Sequence, residues 1–183
     1  INAARPRDII RIAPGIYNTA LYIDRPIKLD GNPDGGVIIQ VAASEAGLIT
    51  VTPTAIGTSI SNLVLRHVGF DHGVDRFSGI TIEAKDTAVT SCQIENTAGH
   101  GIAVLGGASA KVLNCKINRA GWDGISVYGV GSQADITDTW SQENIQHGVG
   151  FWQGGKGSVN NTKTIKNGLC GIVAMGEGVR VNL

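Results

Sequence analysis

Charge is scarce in this 183-residue chain. Fifteen Lys+Arg stand against 15 Asp+Glu, 16% of the residues, with net charge zero and pI near 7.1. That balance lacks the basic footprint of a nucleic-acid binder, so no nucleic-acid partner is expected. Long apolar runs are also missing. None approaches the roughly 18 residues a spanning helix needs, so no membrane segment is expected. No charged-then-apolar signal segment opens the chain, which begins at Ile1 rather than Met, and an upstream segment is expected to have preceded it. Three cysteines cannot complete a disulfide framework, and their spacing fits no zinc pattern, so no resident metal is expected. Glycine, by contrast, is abundant, 26 of 183 residues, about twice its usual share of roughly 7%. This composition implies many tight turns and few exposed helices. The length fits one domain, residues 1–183.

The glycines are periodic. Gly followed by a β-branched residue recurs at Gly79-Ile80, Gly101-Ile102, Gly124-Ile125, Gly148-Val149 and Gly171-Ile172, in steps of 22, 23, 24 and 23 residues. Each pair opens a short alternating segment whose first and third residues are apolar, as one buried face of a strand requires. A second strand follows about ten residues later: Val89–Ile94 aligns with Val112–Ile117, then with Ile136–Thr139 and Val159–Thr162. A period in this range marks a solenoid. The Leu/Asn consensus of leucine-rich repeats is absent, as are the 3.6-period stretches of helical solenoids. Asn, Asp and Gly corners between β-branched strands predict an all-β, single-stranded parallel β-helix of about seven or eight coils. In such a fold equivalent residues stack in columns about 4.8 Å apart.

These residues resemble a known superfamily. Arg7-Asp-Ile-Ile-Arg-Ile-Ala-Pro-Gly-Ile-Tyr17 and Ile23-Asp-Arg-Pro-Ile-Lys-Leu-Asp-Gly31 look like the first coils of right-handed parallel β-helix proteins, a group that includes pectate lyases, mannuronan C5-epimerases and phage tailspikes. Asn96-Thr-Ala-Gly-His-Gly-Ile102 is similar to epimerase-type coils. Ile1–Pro6 resembles the tail of the capping helix that precedes such coils. The resemblance implies right-handedness and an acidic polysaccharide as partner, with an extracellular or cell-surface location.

Columns then suggest chemistry. The outward position three after each Ile holds Glu83, Leu105, Tyr128, Trp152 and Met175, beside a row of small residues, Thr81, Ala103, Ser126, Gly150 and Val173. A small-residue floor beside an aromatic ridge makes a shallow groove suited to the apolar faces of sugars; alternatively the rings pack under a loop or a partner chain. The position before each Gly holds His100, Asp123, His147 and Cys170, residues that either transfer protons or simply occupy turns. Seven residues are inserted between Leu63 and Gly79 relative to the next coil, and the inserted loop, 66–78, is dense in titratable groups. Asp71, His72 and Asp75 within it are the single cluster with ligand-like spacing. Cys92 and Cys115 face inward as buried, reduced thiols, and Cys170 lies on the turn.

Two functions fit. In the first, the chain is an epimerase or β-eliminating lyase acting on an acidic polysaccharide. Tyr128 and His147 transfer protons, His100 and Asp123 assist, and Arg76 or a Ca²⁺ ion neutralises the uronate carboxylate, with no other cofactor. Trp152, Trp122, Leu105, Met175, Arg76 and Glu83 form the substrate-binding set. Mannuronan epimerases carry Asp-Pro-His where this chain has Ala103-Val104-Leu105, so these roles rest on column geometry. A glycoside hydrolase variant needs a carboxylate pair, and Glu83 with Asp71 or Asp75 is the nominee. In the second function the chain is a non-catalytic adhesin- or tailspike-like module, whose last strand, Gly178–Leu183, an oligomer or neighbouring domain caps.

Overall fold

The computed structural model describes Ile1, residues 3–69 and residues 76–183. Among these, 22 short strands and no helices form three parallel sheets of eight, seven and seven strands, about seven coils. One coil contributes a strand to each sheet in turn, for example Ser109–Leu113 to the first sheet, Lys116–Asn118 to the second and Ile125–Tyr128 to the third. Hydrogen bonds then run from coil to coil in unbroken register. On the third sheet Leu21, Ile49, Ile80, Ile102, Ile125, Val149 and Ile172 lie one above another. Ile80, Ile102, Ile125 and Val149 are fully buried, and Ile172 packs partly buried against the same core.

The segment expected as a single second strand is two strands. Thr87–Thr90 belongs to the first sheet and Gln93–Glu95 to the second. Between them Ser91 takes a left-handed conformation (φ 52°), as do Asn114, Asp138 and Asn161 in later coils. One such residue turns the chain between sheets, and the side chains of this corner bond along the stack, Asn114 Nδ2 donating to Ser91 Oγ at 3.1 Å. Cys92 and Cys115 follow the corner, and both are buried and free.

The repeating Gly before each third-sheet strand answers to space rather than to backbone angle. A Cβ on Gly101 would stand 2.5 Å from the Gly124 carbonyl oxygen and would overlap Ile117. The turn leaving the same strand has the opposite cause: Gly106 has φ 64° and open space around it. Strand Val64–Val68 runs through Arg66 and His67, so the irregular part of the 66–78 segment starts after it. Asp71, His72 and Asp75 lie outside the described residues.

Candidate functional site: a groove on the third sheet

The outer face of the third sheet carries a row of hydrogen-bonded neighbours, Tyr22, Thr50, Thr81, Ala103, Ser126 and Gly150. Thr50, Thr81, Ala103 and Ser126 form the floor of a groove of about 660 Å³ that runs along the stacking axis. From Tyr22 to Ser126 the row spans four coil steps, about 19 Å at roughly 4.8 Å per step. Leu105 and Tyr128 stand on one side, and Arg76, Phe77, His100 and Trp122 on the other.

Five of the sequence-nominated residues therefore meet in one groove: Tyr128, His100, Trp122, Leu105 and Arg76. Tyr128 is 52% exposed. The Arg76 guanidinium lies over the Trp122 ring, 4.9 Å from its centroid, and the His100 ring meets Trp122 edge-on at 5.0 Å. This stack presets the positions of a cation and an indole before any ligand arrives.

The other nominees lie elsewhere. Asp123 is 1% exposed and does not line the groove. Its Oδ1 accepts the His147 backbone N–H at 3.2 Å, and its Oδ2 accepts the Trp152 indole N–H at 2.9 Å. Trp152 was expected on the ridge beside Tyr128, and their Cα atoms are indeed in register. Its ring, however, folds back across Gly150, whose added Cβ would strike the indole nitrogen, and so it closes the row at that end. The cause is electrostatic: a buried carboxylate needs donors, and the indole supplies one. His147 is buried beside this ring, with centroids 5.4 Å apart. Glu83 and Met175 lie outside the groove lining, and Met175 projects into solvent.

The turn column works as a ladder. The Asp123 backbone N–H donates to His100 Nδ1 at 3.2 Å, and the Cys170 N–H donates to His147 Nδ1 at 3.1 Å. Each ring thus accepts at Nδ1, which assigns the proton of the neutral imidazole to Nε2. Burial lowers the His100 pKa, opposed by the Asp123 carboxylate 3.8 Å away. His100 thus presents a neutral Nε2–H donor instead of a free base. The same arrangement holds His67, whose Nδ1 accepts the Ala98 N–H and whose Nε2 meets the Ala46 carbonyl. Among the described residues no group of three or more His, Cys, Asp or Glu is placed to hold a metal ion.

Sequence reasoning missed Tyr22 and Glu45, which also line the groove. Tyr22 shares the register of the small-residue row and was detectable by extending that row through Leu21–Ile23; Glu45 lies on a turn, outside the strands whose alternation was read.

Residues 27–183 match the family model described as a right-handed β-helix region. No curated relative matches the chain. Among solved structures, the catalytic domain of Agl-KA superposes with a TM-score of 0.59 at 16% identity, covering 96% of this chain and 42% of that one. A pectin methylesterase mutant in complex with a hexasaccharide superposes with a TM-score of 0.53 at 14% identity, covering 92% of this chain and 73% of that one. At these identities the likeness concerns the fold, and this chain spans less than half the length of the first neighbour. The periodic glycines, the three stacked sheets and the family match agree: the chain belongs to the right-handed β-helix family.

Proposed function

We propose that the groove binds an extended polysaccharide segment along the stacking axis, an acidic one by preference. One observation carries this reading: a lengthwise floor of small residues lies between Trp122, His100 and Arg76 on one side and Tyr128 and Leu105 on the other. Aromatic faces suit the apolar faces of sugar rings, while the Thr and Ser hydroxyls and the His100 Nε2–H suit sugar hydroxyls. Arg76 pairs with a uronate carboxylate, and a Ca²⁺ ion is the alternative neutraliser. One structural neighbour, a pectin methylesterase holding a hexasaccharide, supports the same class of ligand. A chain with this ligand works outside the cell or at its surface.

Lyase or epimerase turnover in this groove would fall to Tyr128, whose phenol is exposed there. His100 and His147 accept backbone N–H groups at Nδ1, and Asp123 is buried, an arrangement that favours binding without turnover. Calorimetric titration with alginate and pectate fragments tests the binding. Trp122→Ala and Tyr128→Ala are each expected to weaken it by about 1–3 kcal/mol, as loss of a well-packed aromatic contact does. Undetectable binding of both polymers by the wild-type chain would sink the uronate reading. Growth of the unsaturated-product absorbance, abolished in Tyr128→Phe, would establish a lyase, and proton NMR of the treated polymer would reveal epimerisation.

A further inference from the structure

A second aromatic lies on another face. Trp140, in the second-sheet strand Trp140–Gln142, is 42% exposed. Its register neighbours are Lys116 one coil before and Lys163 one coil after. The Lys163 ammonium stands over the indole, 4.6 Å from the ring centroid, and holds it from that side. On the Lys116 side lies a concavity of about 230 Å³ lined by Gln93, Lys116, Ile117, Asn118, Trp140 and Gln142, with Lys163 outside the lining.

Its polar groups are distinctive. Lys116 has no ion pair among the described residues. Glu95, on the paired strand of the neighbouring coil, is already engaged by Arg66 at 3.9 Å and by the Gln93 amide at 3.1 Å. Asn118 lines the space as well, with its Oδ1 turned out of solvent and without a hydrogen-bond partner. Three amides, one uncommitted ammonium and one fixed indole thus surround a space smaller than the roughly 300–1,000 Å³ of drug-sized ligand sites.

We propose that this concavity is a second carbohydrate site that takes a single uronic acid residue of an oligosaccharide. The sugar ring lies against the Trp140 face turned away from Lys163, its carboxylate pairs with Lys116, and its hydroxyls meet Gln93 and Gln142. A base-stacking role for the same indole is disfavoured by the zero net charge of the chain. The site is separate from the third-sheet groove and stands without it.

Calorimetry with trigalacturonate separates the two. If both sites exist, the wild-type chain binds two equivalents, Trp140→Ala binds one, and Trp122→Ala retains the Trp140 site. Because Trp140 is exposed, its replacement leaves the core intact, and Lys116→Gln supplies an independent check. Lys116→Gln is expected to weaken the Trp140 site at least tenfold for trigalacturonate, while the fully methyl-esterified trisaccharide binds both proteins equally weakly. One equivalent bound, lost in Trp140→Ala and kept in Trp122→Ala, would support this site and refute the groove. Unchanged stoichiometry and affinity in Trp140→Ala, or no binding to the Trp122→Ala chain, would overturn the proposal. Equal affinity of Lys116→Gln and wild type for trigalacturonate would overturn the assignment of the carboxylate.

Discussion

Gly101 and Gly106 flank the same third-sheet strand, and the structure gives the need for glycine at each a different cause. At Gly101 the obstacle is space. An added Cβ meets the Gly124 carbonyl at 2.5 Å and overlaps Ile117, both fixed in the neighbouring coil. That carbonyl is committed, accepting the Ile102 N–H at 2.9 Å, so it cannot withdraw without weakening the ladder. Gly101→Ala should therefore cost about 1–3 kcal/mol, the usual range for overpacking a fixed interior. For a domain of this length that corresponds to a fall in Tm of about 2–12 °C, at roughly 2–4 °C per kcal/mol. At Gly106 the obstacle is the backbone angle, φ 64°, with nothing within 4 Å of the added Cβ. Gly106→Ala should cost about 1–2 kcal/mol through the left-handed conformation alone. Asparagine separates the two causes, because it tolerates that conformation but is larger than alanine. Urea denaturation should rank Gly106→Asn above Gly106→Ala, and Gly101→Asn below Gly101→Ala. A Gly101→Ala chain with an unchanged midpoint, or the opposite asparagine ranking at either position, would refute this steric account of the repeat.

Trp152→Phe removes one of the donors to buried Asp123 and should lower stability by about 1–3 kcal/mol, measured by urea denaturation, with Trp152→His recovering part of it if an N–H is what matters. Burial lowers the His100 pKa, so below the ordinary imidazole range near 6.5 the unfolded chain binds the proton that the folded chain resists. Stability should thus fall as pH drops from 7 through 6.5 toward the lowered folded value, and His100→Gln should flatten that slope; a slope unchanged in His100→Gln would show that another group causes it. A bulky thiol reagent should label exposed Cys170 quickly and reach Cys92 and Cys115 only on unfolding, since both are buried and the adjacent Cys115 sulfur together with burial holds the Cys92 thiol well above its usual range. Fast labelling of Cys115 in the folded chain would contradict its inward register.

By itself the sequence determined the stack: the Gly-Ile period, the inward isoleucines, the buried cysteines and the row of small residues all follow from alternation repeated every 22–24 residues. The corner at Ser91 was also legible, though less directly. Val89 and Cys92 both face the core three residues apart, a break in period two that a continuous strand does not allow, and Val112 with Cys115 repeats it. The tertiary structure alone decided which columns became a site. Tyr128 and Trp152 are equivalent by register, yet one lines the groove and the other closes it, because Asp123, buried in the preceding coil, draws the Trp152 indole across Gly150. His100 and His147 are equally equivalent in sequence, but Trp122 and Arg76 give only His100 a place at the groove. A repeat specifies where each Cα sits, whereas the direction of a long side chain depends on which donor or acceptor the neighbouring coils leave unsatisfied, and that is a property of the assembled stack.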